Sequence, residues 1–171
     1  WLSILEASYI VYFVRPYYKN YNKRIIKMPK IYFYDTGIVC SLLGIKDKNQ
    51  VKTHYLFGSL FETILMAELQ KYIHNYGIDN NMWYFRDKTG NEIDCILETK
   101  EGLKQIEIKA SQTVKEEHFA SLKYWDRIAK NKKDVSLYLL YGGLENQKRT
   151  GLTVFGWKDL SKVFVDRKTK K

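Results

Sequence analysis

The chain has 171 residues, 45% of them hydrophobic and 15% aromatic, enough for one ordinary domain with a substantial core plus a small appendage. Its apolar runs fall well short of the ~18–20 residues that a membrane span needs, and no signal-peptide pattern opens it, so a cytoplasmic protein with no membrane partner is expected. The net charge of +10 is uneven: residues 1–34 hold six Lys/Arg against one acid, and residues 158–171 hold six against two, which points to polyanion contact at the two ends.

In chain order, residues 1–8 read as the last turns of a helix, and the opening Trp, in place of Met, suggests a piece of a longer protein. Residues 9–14 are β-rich and broken by Arg15-Pro16. After an aromatic, polar turn, residues 23–28 are expected to form the return strand. Such a basic two-stranded wing would present Arg15, Lys19, Lys23, Arg24 and Lys27, with Lys30, to nucleic-acid phosphates, and Tyr17, Tyr18 and Tyr21 would stack or pack nearby. A solvated wing packed on another domain is the alternative.

Residues 30–34 form another short strand. Asp35 is the expected N-cap of a helix over 36–43, with Gly44 closing it, and residues 46–52 are a polar loop. Residues 56–76 give the strongest helix, with apolar positions 57, 60, 61, 64, 65, 69, 72, 73 and 76 at helical spacing and Glu62 at the edge of the stripe. Met82–Arg86 reads as a strand, and Asp87 to Gly90 as a hairpin turn flanked by Arg86 and Lys88.

The stretch 91–110 carries the chemistry. Glu92, Asp94, Ile96 and Glu98 alternate with Ile93, Cys95 and Leu97, and Glu107 and Lys109 alternate with Ile106 and Ile108, so both runs read as strands. Gly102 in the turn suits a positive φ. If Thr99 pairs with Gly102, counting back places Asp94 opposite Glu107. Two carboxylates at that spacing, roughly 4.5–5.5 Å between Cβ atoms, repel, and a hard divalent cation would turn the cost into a gain. Lys109, on the face of Glu107, could polarise a water or steady an oxyanion. The pattern predicts a metal-dependent hydrolytic site with Asp94 and Glu107 as metal ligands, against the alternative of a solvated sheet face.

Beyond Ala110, Thr113 with Glu116 suggests a capping box for a helix striped by Phe119, Leu122, Trp125 and Ile128, with His118 exposed. Val135–Tyr141 reads as a continuous central strand, and residues 152–155 as a further one. Cys40 and Cys95 are isolated in apolar runs, as reduced core thiols would be. There is no G-x-x-x-x-G-K-[ST] and no pattern of a zinc site or a Cys/His nucleophile pair.

Asp94, Glu107 and Lys109, with Glu62 on the preceding helix, resemble the PD-(D/E)xK nuclease core, in which a helix precedes a three-stranded meander followed by another helix and a strand. Ile93 stands where that motif has Pro. A closer likeness covers nearly the whole chain, through Trp1-Leu-x-x-Leu-Glu-Ala, Pro29-Lys-Ile-Tyr-Phe-x-Asp-Thr-Gly37, Gly58-x-Leu-Phe-Glu62, Phe85-Arg-Asp-Lys-x-Gly-x-Glu-Ile-Asp94 and Ile106-Glu-Ile-Lys-Ala110. These resemble the domain of unknown function found C-terminal to predicted bacterial and archaeal AAA-type ATPases.

The resemblance implies an α/β (α+β) mixed sheet flanked by helices over 35–160, a winged-helix remnant over 1–34 and a basic tail over 161–171. It also implies Glu62, Asp94, Glu107 and Lys109 as catalytic residues, Mg²⁺ or Mn²⁺ as cofactor, and DNA and a linked N-terminal ATPase as partners. Two functions stand as expectations: a Mg²⁺-dependent DNA phosphodiesterase, or a non-catalytic DNA- or partner-binding module serving the ATPase. Self-association around an ATPase ring is a weaker third.

Overall fold

The computed structural model describes residues 1–17, 27–77, 82–100, 102–128 and 134–165. Helix α1 (Leu2–Ala7) leads into strand β1 (Val11–Pro16), which pairs antiparallel with β2 (Lys30–Phe33). Two short helices, α2 (Thr36–Leu42) and α3 (Lys48–Thr53), precede the long α4 (Phe57–Asn75). Strands β3 (Met82–Arg86), β4 (Glu92–Thr99) and β5 (Gly102–Lys109) then form an antiparallel meander. A 3-10 turn at Glu116–Phe119 opens into α5 (Ala120–Ile128), which carries the chain over to β6 (Val135–Tyr141). Strands β7 (Gln147–Arg149) and β8 (Leu152–Gly156) and helix α6 (Lys162–Val165) follow.

The eight strands of the described residues lie in one mixed sheet, ordered β2-β1-β3-β4-β5-β6-β8-β7. β5 and β6 run parallel, which a tight turn cannot connect, and α5 supplies the crossover. On one face, Phe61, Leu65, Leu69 and Ile73 of α4 pack over Cys95, Leu97, Ile106, Ile108, Tyr138 and Leu140. On the other, Leu122 and Trp125 of α5 cover Phe85, Ile93, Ile96 and Leu103. With helices on both faces, β4 and β5 are buried along most of their length, as central strands are.

Several expectations need correction. β1 pairs not with 23–28 but with Lys30–Phe33; residues 23–26 lie outside the described residues, and Met28 is exposed. The segment read as a basic wing is not set apart from the sheet, because β1 also pairs in parallel with β3. The polar loop at 46–52 holds α3, whose first turn is capped by Asp47, accepting from the Asn49 and Gln50 amides at 2.7 and 3.1 Å. The Thr113 cap does not form: the 3-10 turn begins at Glu116, after Lys115. His118 is buried rather than exposed, and its Nδ1 accepts from the Lys115 amide. By contrast Asp35 caps α2 as expected, accepting from the Gly37 amide at 2.7 Å.

The β3–β4 turn is built on Asp87, which is 2% exposed. Its carboxylate accepts from the Thr89 and Asn91 amides, the Thr89 hydroxyl, the Asn91 side chain and the Tyr124 hydroxyl, the last at 2.6 Å. Burial alone would raise its pKa, but these donors win and hold the carboxyl well below the usual range. Asp87 thus ties the hairpin to α5. Replacing it with Ala strands several buried donors, so Asp87→Ala should cost about 2–4 kcal/mol in chemical denaturation; a loss under ~0.5 kcal/mol would contradict this role.

Candidate active site

The β4–β5 ladder pairs Cys95 with Ile106 through to Thr99 with Gly102, the register expected from the turn. The regular pairs end at Cys95 and Ile106, and beyond them the Asp94 charge acts on Glu107. There a side chain takes over from the backbone: the Asp94 carboxylate accepts from the Ile108 amide at 2.8 Å.

The expected alternation on β4 fails at the same point. Ile93 and Ile96 both pack toward α5, whereas Cys95 and Leu97 face α4. Two residues, Asp94 and Cys95, thus separate side chains that share a face. The β3–β4 register shifts between Trp83 and Phe85, which places a β-bulge here. Such a bulge re-aims a side chain and ends regular pairing. It puts Asp94 between the β5 backbone and Lys30 of β2, whose Nζ lies 3.6 Å from Asp94 Oδ1.

Asp94 and Glu107 are 8% and 4% exposed. Glu107 Oε1 accepts from Lys109 Nζ at 2.6 Å, and Glu107 Oε2 is buried with no hydrogen-bond partner among the described residues. Burial, with the Glu62 charge, raises the Asp94 pKa, and burial, with the Asp94 charge, raises that of Glu107. Burial would lower Lys109, but Glu107 outweighs it, so the ammonium stays protonated above the usual lysine range.

Glu62, on the first turns of α4, faces the same cluster. Its Oε1 accepts from Lys30 Nζ at 3.0 Å and from the Tyr32 hydroxyl at 2.5 Å. Glu92 also bonds Lys30, and Arg86 Nε lies 3.1 Å from its other oxygen. Lys30 therefore gathers Glu62, Glu92 and Asp94, while Lys109 holds Glu107. Asp94, Glu62 and Glu92 outweigh burial and keep Lys30 charged.

All four residues expected at the site thus lie in one neighbourhood. The sequence pattern does not show the roles of Lys30, Tyr32 and Glu92. Lys30, expected on phosphates, stands among acids instead, and its spacing from Tyr32 places both on one strand face. Glu92 shared a face with Asp94 in the simple alternation and still does. Of the basic residues expected on nucleic acid, Arg15 and Lys27 are exposed, and Lys19, Lys23 and Arg24 lie outside the described residues.

The chemistry of this donor set fits a hard divalent cation: oxygen ligands only, with an orphaned carboxylate oxygen on Glu107. Asp94 and Glu107 are the residues that would hold it. Among the described residues, however, no three His, Cys, Asp or Glu side chains form a ready-made metal group; two ammonium groups stand among the acids. Nor, among those residues, is any helix long and apolar enough to cross a membrane.

Comparison with known proteins places this geometry in context. Residues 1–49 match a family described as Domain of unknown function (DUF8612). An uncharacterized protein of Mycobacterium bovis and another of Mycobacterium tuberculosis are each 28% identical over 113 residues, covering 66% of this chain and 25% of the relative. The chain thus spans about a quarter of the length of the curated relatives it matches. Residues 57–160, which run from the start of α4 through the meander, α5 and the last strands, match the Domain of unknown function DUF4143, and the chain belongs to that family.

Proposed function

We propose that this chain carries a divalent-cation-dependent phosphodiesterase site of the PD-(D/E)xK type, acting on DNA and serving a linked AAA-type ATPase. The observation that carries the reading is the pair of buried carboxylates, Asp94 and Glu107, with an orphaned Glu107 oxygen and Lys109 at 2.6 Å from the other. The element order α4, β3-β4-β5 meander, α5, β6 agrees with the nuclease core, and β1–β2 stands where a winged-helix unit would end.

Asp94 and Glu107 would hold Mg²⁺ or Mn²⁺, which supplies Lewis acidity and a more acidic bound water. Asp94 is fixed for this by the Ile108 amide. Glu62 would orient the water or the ion from α4. Lys109, kept cationic by Glu107, acts as a donor to developing negative charge rather than as a base.

A second reading, a non-catalytic DNA- or partner-binding module, draws on a different observation: Lys30 already neutralises Glu62, Glu92 and Asp94. It expects salt-sensitive DNA binding that survives Asp94→Asn and fails when Arg15, Lys23 and Arg24 are neutralised. The deciding experiment incubates the purified chain with DNA and Mg²⁺ or Mn²⁺. Cleavage that disappears with chelator and in Lys109→Ala supports the phosphodiesterase; intact DNA at all metal concentrations, with binding retained, supports the module.

A further inference from the structure

We propose that Lys30 is a built-in cation on the Asp94 carboxylate that a divalent ion would need, so that metal is seated there only by displacing its ammonium. This rests on the reading of Asp94 as a cation-binding acid and adds its regulation.

The seat is drawn from three separate elements. Glu62 comes from α4, Glu92 and Asp94 from β4, and Lys30 from β2. Lys30 Nζ lies 3.0 Å from Glu62 and 3.6 Å from Asp94 and bonds Glu92 as well, with its side chain only 20% exposed. The Tyr32 hydroxyl shares Glu62 Oε1 with Lys30, which turns that carboxylate toward the ammonium. The rings of Tyr32 and Tyr84 lie 5.9 and 5.6 Å from Nζ, within the range at which an aromatic face attracts a cation. Three carboxylates and two ring faces around one ammonium make a cation seat.

A divalent ion held by Asp94 would share that carboxylate with Lys30. Two cations a few ångströms apart in a partly buried site repel, so both cannot be seated together. β2 is suited to yielding: it is a four-residue strand at the end of the sheet, and among the described residues its one strand neighbour is β1. Lys30 therefore keeps the acids from repelling one another until a stronger cation arrives.

The test is calorimetric titration of Mn²⁺ into the full chain, as wild type and as Lys30→Met. Removing a unit charge from the seat should tighten Mn²⁺ binding by about tenfold or more, and adding Asp94→Asn to Lys30→Met should abolish the gain. Tight binding by Lys30→Met alone upholds the competition while denying the wild type its metal-dependent activity. Equal or weaker binding by Lys30→Met overturns the competition and leaves the metal site standing. No binding by either protein overturns both. Should Lys30→Met fail to fold, labelling the wild type with an amine-reactive reagent decides: Mn²⁺ should increase modification of Lys30, and unchanged modification at saturating Mn²⁺ overturns the proposal.

Discussion

Raising the pH from about 4 to about 8 is expected to destabilise this protein, on the order of 2–4 kcal/mol once burial and mutual coupling are discounted. The Asp94 carboxyl is pushed up to about 6 and that of Glu107 to about 8, burial being the largest cause for each, whereas unfolded carboxyls titrate near ~4. In that window the folded chain binds more protons than the unfolded one, so stability falls with rising pH. The contribution is complete below pH ~4 and gone once the pH passes the folded value of Glu107. Lys30 and Lys109 remain charged throughout the window in both states and do not offset it. His118, held below its ordinary value, acts in the opposite sense as one group against two, and Asp87 does so below the window, where its stabilising contribution is lost as the pH falls.

Urea denaturation of the metal-free chain at pH 5 and pH 8 reads this directly. Glu107→Gln should flatten the profile and stabilise the protein at pH 8, because it removes a charge that is forced into a buried site with one oxygen unpartnered. Stability rising steadily from pH 5 to pH 8 in the wild type would show that neither carboxyl is strained by its surroundings.

The second large effect concerns Lys109→Ala. If the site cleaves DNA, this change should lower kcat by about 10²–10⁴-fold, the range seen when a positioned proton-transfer or oxyanion-stabilising group is lost. KM should move little, because the Nζ is held by Glu107 at 2.6 Å and spent on the reacting centre rather than on remote phosphates. Arginine at 109 keeps the charge but not the compact ammonium, and should recover only part of the rate. A fall in kcat/KM carried wholly by KM would make Lys109 a phosphate-binding residue. The variant's stability needs a parallel check, since Glu107 loses its one hydrogen-bond donor; protonation of Glu107 limits that loss near neutral pH.

The parts of the fold that could be read in the chain are those where one local pattern decides. Met82–Arg86 and Val135–Tyr141 are found with the expected bounds, because β-branched and aromatic runs between turn residues have few other uses. α4 follows its apolar spacing to within a residue at each end. The hairpin register is legible from Cys95–Ile106 to Thr99–Gly102, because Thr99 and Gly102 leave the turn little freedom.

What escaped was decided by contacts between distant segments. The bulge at Asp94 and Cys95 has no sequence mark; it arises where Asp94 bonds the Ile108 amide in place of a backbone partner. Lys30 lies 32 residues from Glu62 and read as one more basic residue in a basic segment, so its place among acids depended on β2 joining the sheet beside β1. His118 looked solvated because its turn is polar at Glu116 and Glu117, yet the fold buries it against the end of β5, where burial and the Lys109 charge hold it below the usual imidazole range. β7 is three residues long and polar, and only its pairing with β8 makes it a strand.

The most direct measurement is calorimetric titration of Mg²⁺ and Mn²⁺ into the wild-type chain beside Asp94→Asn and Glu107→Gln, all at pH 8. The account predicts binding to the wild type with release of protons, as the raised carboxyls give them up to the metal, and its loss in both variants. Binding that persists unchanged in both variants, or wild-type binding that releases no protons, would contradict a cation held by Asp94 and Glu107.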